Sequence, residues 1–296
     1  MNNLNLKTFI RVTEAGSFNK AAAELYITSS AVIKQINLLE NEIGIRLFHR
    51  THRGIKLTKA GQSLYKDAKY ITEYCREAIT RAQNAEQNNT RVIRIGTSPM
   101  TPAQLLTDLW PKIHSHCPEL NFQLVPFENT PENAREILRN LGQNIDVVTG
   151  VFDDTLLEYR KCAGFEITRE RLCCAMSIYH PLAKKDKLTM QDLYGENLMM
   201  IHSGWSGYMD SLRSEVSCHK QINIVDFDFF DVQIFNRCEQ NRDIMVVIES
   251  WACVHPMMKV IPVDWEYSIP FGLLYSVKPD KTVKQFLDAV RKVTDS

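Results

Sequence analysis

Two short segments of the sequence contain the residue types that catalysis or metal binding uses. Gly204-Trp205-Ser206-Gly207 places a serine between glycines, but it is one residue short of the G-x-S-x-G spacing of a nucleophile elbow. His114-Ser115-His116-Cys117 offers two imidazoles and a thiol, yet residues two apart on a helix point to different faces. The sequence has no glycine-rich phosphate motif and no second pair of metal ligands at a recognisable spacing. It therefore predicts neither an enzyme nor a metal site, and it calls for no cofactor.

The eight cysteines are scattered along the chain and form no C-x-x-C pair. Cys173 and Cys174 fall in a predicted buried strand, where cysteine acts as a small hydrophobic residue. Free thiols in a reducing cytosol are the simpler interpretation. A redox pair that involves Cys218 or Cys238 stays an alternative.

The first sixty residues favour a different chemistry, the recognition of a polyanion. Ser29 and Ser30 are short polar side chains at the start of a predicted helix, and Lys34 is a cation one turn further along. A helix that enters the major groove of DNA needs such residues near its start. Arg50 and Arg53 flank a predicted turn, where they would suit the DNA backbone or the minor groove.

Three helices and a hairpin would position these side chains. The third helix has one apolar face, with spacings of 4, 3 and 4 residues, formed by Val32, Ile36, Leu39 and Ile43. Thr28 is its expected N-cap, and Ser17 is the expected N-cap of the second helix. Short strands at residues 47–48 and 55–57 would enclose a basic loop. The pattern predicts a winged helix-turn-helix, and a small helical bundle with a polar surface is the alternative.

Charge is divided unevenly between the two parts of the chain. Residues 1–60 carry nine Lys or Arg and four acids, a net charge of +5, while the whole 296-residue chain has a net charge of +0. A basic N-terminal segment followed by an acidic remainder indicates that only the N-terminal segment binds a polyanion. The chain has no apolar run long enough for a membrane span and no signal-peptide core at its start. We therefore expect a cytoplasmic protein without a membrane partner.

Motifs within residues 4–61 resemble those of LysR-type transcriptional regulators. They are Ser17-Phe18-Asn19-Lys20-Ala21-Ala22, Thr28-Ser29-Ser30-Ala31-Val32, Arg46-Leu47-Phe48-His49-Arg50 and Gly54-Ile55-Lys56-Leu57-Thr58-Lys59-Ala60-Gly61. Ile33 departs from the family, which usually has a serine close to the DNA there, and Ser30 is often a proline. These departures concern which bases are read. The DNA-binding residues that the resemblance implies are Ser17, Lys20, Ser29, Ser30, Ile33, Lys34, Arg50 and Arg53.

The resemblance also implies the organisation of the chain. A winged helix-turn-helix domain would span residues 1–58, and a linker helix and hinge would span residues 59–88. The linker has a heptad seam nearly three repeats long, formed by Leu64, Ala68, Ile71, Cys75, Ala78 and Ala82. Members of the family pair through this helix, so we expect a homodimer or a homotetramer. A helix packed only on its own domain is the alternative.

Strands and helices alternate from residue 92 onwards, which favours mainly parallel sheets covered by helices and an α/β fold overall. We expect strands at 92–95, 122–125, 145–148, 172–176, 198–201, 222–225, 244–248 and 271–275, and helices at 102–115, 131–141 and 282–293. The resemblance implies a two-subdomain effector domain at 89–296, similar to periplasmic binding proteins. Its first subdomain would span about 91–163 and 266–296, and its second about 164–265.

Ligands of such sheets bind beyond the carboxyl ends of the strands. The effector-binding residues expected there are Thr97, Ser98, Met100, Thr101, Phe127, Glu128, His202, Ser203 and Trp205. Thr101 followed by Pro102 predicts a helix start, whose free N–H groups would favour an anion. We expect a small carboxylate with an apolar or aromatic body, although Glu128 would repel an anion unless the ligand is amino-acid-like. For each single residue, capping of its own loop is the alternative role.

Together these features predict a sequence-specific transcription regulator that binds double-stranded DNA and responds to a small-molecule effector. RNA polymerase is a further expected partner. A transport binding protein is the alternative class, because the C-terminal region alone would fit one. The N-terminal module and the missing signal peptide argue against that alternative.

Overall fold

The chain was analysed as a computed structural model that describes residues 3–51, 54–86 and 91–295. Contacts within the chain divide it into two compact units, Met1–Asn89 and Thr90–Ser296, called here the N-terminal and the C-terminal unit. No helix within the described ranges is long and apolar enough to cross a membrane.

The described part of the N-terminal unit contains helices and one hairpin. In chain order the elements are α1 (Asn3–Ala15), α2 (Phe18–Leu25), α3 (Ser29–Ile43), β1 (Phe48–Thr51), β2 (Gly54–Leu57) and α4 (Lys59–Glu86). Helices α2 and α3 form a helix-turn-helix, and the antiparallel strands β1 and β2 form the wing. The predicted winged helix-turn-helix is confirmed.

The helices of this unit pack through the faces that the sequence pattern indicates. Val32, Ile36 and Leu39 of α3 are fully buried, in one core with Phe9 of α1. Ala21 of α2 lies in the same core and is also fully buried. Small side chains on α2 let the other helices approach closely, so the position of α3 follows from the apolar pattern.

Caps define where these helices begin and end. Thr28 caps α3 as predicted, because its Oγ1 accepts the Ala31 N–H at 3.2 Å. Ser17 occupies the N-cap position of α2, but its side chain makes no capping hydrogen bond. Helix α3 ends at Gly44, whose φ of 71° is a left-handed conformation that costs glycine little.

Glu40 joins the wing to the end of α3. Its side chain is only 4% exposed. The carboxylate accepts the Leu47 N–H at 2.7 Å and the Phe48 N–H at 3.2 Å, and the Arg46 guanidinium donates to it at 2.7 Å. Burial by itself would raise the pKa of Glu40, but the three hydrogen bonds outweigh burial and lower the pKa. Glu40 is therefore ionised at neutral pH and holds the first residues of the wing.

The residues of the predicted heptad seam on α4 lie in two different environments. Leu64, Ala68 and Ile71 pack against the core of their own unit, and Ala68 is fully buried there. Cys75 and Ala78 are half-buried and lie outside that core. The alternative of packing on its own domain therefore holds for the first three seam positions, because α4 begins directly after the wing and contacts α1.

The C-terminal unit is built on strands that lie between helices. The elements are β3 (Arg91–Thr97), α5 (Gln104–His116), β4 (Leu120–Pro126), α6 (Pro131–Arg139), β5 (Val147–Val151), α7 (Asp154–Arg160), β6 (Cys162–Ser177), β7 (Asn197–Ile201), α8 (Gly207–Val216), β8 (Asn223–Phe227), α9 (Val232–Asn241), β9 (Ile244–Ile248), β10 (Met258–Pro262), β11 (Ser268–Ser276) and α10 (Lys281–Thr294).

The strands form two lobes joined by a central pair. The first lobe contains the parallel strands β4, β3 and β5, and the second contains the parallel strands β9, β7 and β8. Strands β11 and β6 lie between the lobes, and both run antiparallel to their neighbours. The predicted α/β fold with two subdomains is confirmed, while the expectation of mainly parallel pairing is wrong for the centre of the sheet.

The sequence pattern missed β10 and the first part of β6. Residues 162–171 of β6 are mostly exposed or half-buried and include several charged residues, so no apolar run indicated a strand. This part of β6 pairs with β11, and a register shift occurs between Phe271 and Gly272. A Cβ atom at Gly272 would lie 2.0 Å from the Phe165 carbonyl oxygen. Only glycine fits this close approach of the two central strands.

We expect Glu40→Gln to lower the free energy of unfolding by about 1 kcal/mol at pH 7. The amide oxygen can still accept the Leu47 and Phe48 N–H groups, but those bonds lose the charge of their acceptor, and the amide NH₂ cannot accept from the Arg46 guanidinium. The folded pKa of Glu40 lies below the unfolded value of 4.5, so this stabilisation is present above pH 4.5 and is lost as the pH falls through the folded pKa. Urea unfolding between pH 3 and pH 7 measures both effects, with the exposed Asp67→Asn as the control. A difference between Glu40→Gln and wild type that stays constant down to pH 3 would contradict this role.

Candidate functional site

The outer face of α3 presents the side chains that were predicted to contact DNA. Ser30 and Lys34 are exposed, while Ser29 and Ile33 are half-buried. The Ser30 hydroxyl lies 3.0 Å from the Thr28 hydroxyl, which holds it at the start of the helix. Polar side chains near the start of an exposed helix are suited to the edges of bases in a major groove.

The other predicted DNA contacts surround α3. Lys20 is exposed on α2, and Ser17 is half-buried directly before that helix. Arg50 lies on strand β1 of the wing, and Arg53 lies outside the described residues. Their roles in binding DNA stay predictions.

Two features of this surface were not expected from the sequence. Tyr26, between α2 and α3, is 94% exposed and has a left-handed φ of 55°. An open groove between α3 and the wing is lined in part by Asn41, Arg46 and His49. The sequence pattern pointed to the helix and the wing separately, and the groove between them follows from the packing of Leu47 and Phe48 into the core.

The C-terminal unit contains a cavity of about 90 Å³ between its two lobes. Its lining residues are Met100, Thr101, Phe127, Asn129, Ala134, Ile137, Leu138, Val148, Gly150, Val151, Arg160, Trp205, Phe229, Phe230, Trp251 and Leu274. Four predicted effector-binding residues are brought together here, Met100, Thr101, Phe127 and Trp205. Most of the lining is apolar, which is usual for a small-molecule site.

The other five predicted effector residues do not line the cavity. Thr97 and Glu128 are among them, and Glu128 is exposed to solvent. His202 and Ser203 are also exposed, and the His202 Nδ1 lies 2.9 Å from the Ser203 carbonyl oxygen, within their own loop. Ser98 bonds to Thr101 instead of facing the cavity, with 2.7 Å between the two hydroxyls. The polar side chains expected at the site therefore lie outside this cavity, and their contact with an effector stays a prediction.

The predicted helix start at Thr101 is also wrong. Helix α5 begins at Gln104, and Ala103 occupies its N-cap position without a side-chain cap. The backbone of Thr101 pairs in both directions with Ser98, so residues 98–101 form a tight turn. Because this turn consumes the hydrogen bonds of Thr101, the residue cannot open the helix.

Aromatic side chains that the sequence reasoning missed form one wall of the cavity. Phe230 lies at its centre, with ring centroids 5.7 Å from Trp205 and 4.7 Å from Trp251. Trp251 follows the carboxyl end of β9, so the rule that identified Trp205 after β7 could also have found it. Phe230 follows β8 in the same way.

Arg160 was also missed, and no signal in the sequence pointed to it. It is the last residue of α7, a helix that the sequence pattern did not predict. The side chain is half-buried, and its Nη1 donates to the Val151 carbonyl oxygen at 2.8 Å. Burial lowers the pKa of the Arg160 guanidinium from its usual value.

Three sets of hydrogen bonds join the lobes around the cavity. The Trp251 indole N–H donates to the Met100 carbonyl oxygen at 3.0 Å. The Asn129 side-chain amide donates to the Phe230 carbonyl oxygen at 2.8 Å. Each bond links a residue after a strand of the first lobe to a residue after a strand of the second, so the cavity is bounded by both lobes.

Asp153 makes the third connection with a single carboxylate. Its Oδ1 accepts the Leu156 N–H at 2.8 Å and thereby caps α7. Its Oδ2 accepts the Ser206 hydroxyl at 2.7 Å and the Gly207 N–H at 2.9 Å, at the start of α8. Ser206 belongs to the segment that had resembled a nucleophile elbow, and it is instead the N-cap of α8.

One of the two thiols that the sequence left open as part of a redox pair is buried. Cys238 is fully buried, whereas Cys218 is exposed. Burial raises the pKa of Cys173 and of Cys238 to about 12, and it also raises the pKa of Cys174. These three thiols stay protonated and pack as small hydrophobic residues. The described part of the chain contains no cluster of His, Cys, Asp or Glu that could hold a metal ion.

Comparison with known proteins assigns a family to both units. Residues 4–62 match the family model described as bacterial regulatory helix-turn-helix protein, lysR family. Residues 86–295 match the model of the LysR substrate binding domain.

Individual relatives and solved structures agree with these matches. The Hca operon transcriptional activator HcaR of Escherichia coli (strain K12) is 28% identical over 203 residues, which is 69% of this chain and 66% of HcaR, just under two thirds of its length. The regulator YofA of Bacillus velezensis is 30% identical over 202 residues, 68% of this chain and 65% of YofA. The crystal structure of CbnR, a LysR family transcriptional regulator, is 18% identical with a TM-score of 0.67, and it covers 100% of both chains. At this identity the likeness to CbnR shows the fold.

We expect Asp153→Asn to destabilise the C-terminal unit by about 2 kcal/mol, because an amide NH₂ cannot accept the donors that Oδ2 holds. Asp154→Asn is the matched control, since Asp154 is exposed in the first turn of α7 and would lose only a few tenths of a kcal/mol. Urea unfolding of both variants, followed by tryptophan fluorescence, measures the difference. Equal stability of the two variants would show that Asp153 does not join the lobes.

Proposed function

This chain belongs to the LysR family of helix-turn-helix regulators, and from that premise we propose that it is a sequence-specific DNA-binding transcription regulator controlled by a small molecule. One observation carries the proposal: the chain combines an exposed polar helix beside a wing with a second unit that encloses a cavity between two lobes. The first feature suits double-stranded DNA, and the second suits an effector.

The proposed DNA surface consists of α3, the start of α2 and the wing. Helix α3 would enter the major groove, with Ser30 at the base edges and Lys34 at a guanine or a phosphate. Arg50 and Arg53 of the wing would contact phosphates or the minor groove. The net charge of +5 on residues 1–60 favours a polyanion, and it predicts that binding weakens as the salt concentration rises.

We propose that the chain has the domain limits expected from its sequence and that two chains pair through α4. The DNA-binding domain would be residues 1–58, the dimerisation helix and hinge 59–88, and the effector domain 89–296. Since Leu64, Ala68 and Ile71 serve their own unit, the pairing surface would lie further along α4, around Cys75, Ala78 and Ile79. Ile79 is 58% exposed, so a partner helix on this side of α4 would cover it. Dimers would assemble further into a tetramer.

Control by a small molecule would act through the lobes of the C-terminal unit. The three sets of bonds between the lobes surround the cavity, so a ligand that contacts both lobes would favour one arrangement over another. In the cytoplasm, such a shift would alter how the assembly bends DNA or contacts RNA polymerase.

We expect Lys34→Ala to weaken binding to the operator by about tenfold and to lower the salt slope by about one. Gel-shift titrations over a range of salt concentrations, on DNA from the region upstream of the gene, measure both quantities. Lys112→Ala is the control, because it removes an exposed positive charge from α5 in the other unit. Operator affinity equal to that of wild type in Lys34→Ala would contradict the proposed docking of α3.

Pairing through α4 is tested by two isoleucines that differ in their environment. Ile79→Asp should dissociate the dimer while the N-terminal unit stays folded, because a charge would enter a dry interface. Ile71→Asp should instead destabilise the unit itself, because Ile71 packs on its core. Sedimentation velocity and circular dichroism separate these outcomes. A dimer that survives Ile79→Asp would reject this surface.

A further inference from the structure

The turn after β6 presents two large apolar side chains at positions where turns usually carry small or polar residues. Residues 177–180 form a β-turn, because the His180 N–H donates to the Ser177 carbonyl oxygen at 2.8 Å. Its two central positions hold Ile178, which is 44% exposed, and Tyr179, which is 74% exposed. Glycine, proline, asparagine and aspartate are the residues that such positions favour. The geometry of the turn therefore does not explain why isoleucine and tyrosine occupy it.

Hydrogen bonds hold this turn in place, so the two side chains have a fixed position at the surface. The Ile178 N–H donates to the Met257 carbonyl oxygen at 2.9 Å, and the Tyr179 N–H donates to the Ser177 hydroxyl at 3.4 Å. His180, the last residue of the turn, is buried. A tyrosine that is already held in place loses little conformational entropy on binding, and tyrosine is enriched among the residues that dominate protein interfaces.

Positive charge surrounds the turn. Hydrogen bonds connect the segments 177–187, 239–242 and 257–259, so these three segments lie side by side. Together they contain five Lys or Arg and two acids, a net charge of +3. One of the lysines is paired with an acid outside the segments, whereas Lys184 and Arg242 are exposed. An apolar tip with basic surroundings complements an apolar surface with acidic surroundings.

A surface of that kind lies elsewhere on the C-terminal unit. An open groove of about 450 Å³ is formed where the starts of α7 and α8 meet the central strands, and its lining shares no residue with the lining of the cavity. Its apolar lining residues are Phe152, Leu157, Tyr208 and Pro270. Its acidic lining residues are Asp153, Asp154 and Glu166. No Lys or Arg is among the described residues that line it.

Two of the three carboxylates in this groove are accessible to a partner. Asp153 already accepts three donors of its own chain. Asp154 is exposed in the first turn of α7. Glu166 is also exposed, and the Arg169 guanidinium lies 3.5 Å from it in a surface pair that contributes little. The groove therefore offers carboxylates to a cation of another molecule, beside apolar surface.

We propose that the turn at Ile178 and Tyr179 docks into this groove of a second copy of the chain, with Tyr179 against the apolar lining and the basic surroundings of the turn facing Asp154 and Glu166. The two surfaces are complementary in charge and alike in apolar character, and one chain carries both. Because the turn and the groove are different surfaces, the contact is heterologous. It goes beyond the proposed function, since it requires neither DNA nor an effector and joins copies that α4 does not pair.

This contact would also bear on the arrangement of the lobes. The groove is bounded by Asp154 at the start of α7, in the first lobe, and by Tyr208 at the start of α8, in the second. A docked turn touches both helices, so its binding favours the arrangement in which the groove has this shape. Self-association and the arrangement of the lobes are then coupled.

A photoreactive side chain in the turn identifies the surface that the turn contacts. The full-length protein with p-benzoylphenylalanine in place of Tyr179 retains an aromatic ring there, and a mixture of nitrogen-15-labelled and unlabelled protein separates links between chains from links within one chain. We expect links between chains that join the turn to residues of the groove. The same photoreactive side chain in place of Val277, which is 61% exposed outside both surfaces, is the control. Links between chains from the turn to a different surface, or none at all, would overturn the proposal.

Two variants test the heterologous geometry. Tyr179→Ser removes the ring and leaves the groove intact, whereas Asp154→Lys reverses a charge of the groove and leaves the turn intact. We expect each variant alone to associate beyond the pair formed through α4 at least about tenfold more weakly than wild type, as measured by sedimentation equilibrium. Val277→Ser is the matched control, because it removes an exposed apolar side chain from neither surface. An equimolar mixture of the two variants should recover association, because the turn of one meets the groove of the other.

Recovery on mixing also guards against misfolding, since a misfolded variant could not supply its intact surface, and Glu166→Lys provides a second change in the groove. Association that is unchanged in both variants, or a mixture that associates no better than its components, would reject the contact. So would a wild type that does not associate beyond the pair formed through α4. A wild type that binds no operator would instead reject the proposed function and leave this contact standing.

Discussion

The antiparallel pairing of β6 with β11 is the constraint on which the C-terminal unit depends. Each lobe has its own parallel strands, and these two central strands are the only described strands that connect the lobes into one sheet. Their close approach at Gly272 leaves no room for a side chain, since a Cβ there would lie 2.0 Å from the Phe165 carbonyl oxygen. Because β6 and β11 join the lobes, the loops at the strand ends of the two lobes face each other, and the cavity forms between these loops.

The cavity combines an apolar wall with one half-buried arginine, and these two properties have different structural origins. The aromatic wall comes from loops after the strands of the second lobe, which the sheet topology brings together. The charge comes from Arg160 at the end of a short helix of the first lobe. Each lobe thus contributes part of the cavity lining.

In the N-terminal unit, ionised Glu40 has a comparable organising role on a smaller scale. Its carboxylate accepts the backbone N–H groups of Leu47 and Phe48 and so fixes the start of the wing relative to the end of α3. The groove between α3 and the first strand of the wing follows from this anchor. Helix α4 continues from the wing and completes this core through Ala68, whereas Ile79 further along the helix is exposed.

Local patterns in the sequence determined the winged helix-turn-helix, since the apolar spacing of α3, the Thr28 cap and the wing strands depend on neighbouring residues. They also indicated the alternation of strands and helices, and the strand-end rule located Met100, Thr101, Phe127 and Trp205 at the cavity. Only the tertiary structure decided the antiparallel central strands, the turn that moves the start of α5 to Gln104, and the placement of Arg160. The physical reason is that burial of a charge and pairing across lobes depend on residues distant in the chain, whereas helix periodicity and capping depend on residues three or four positions apart.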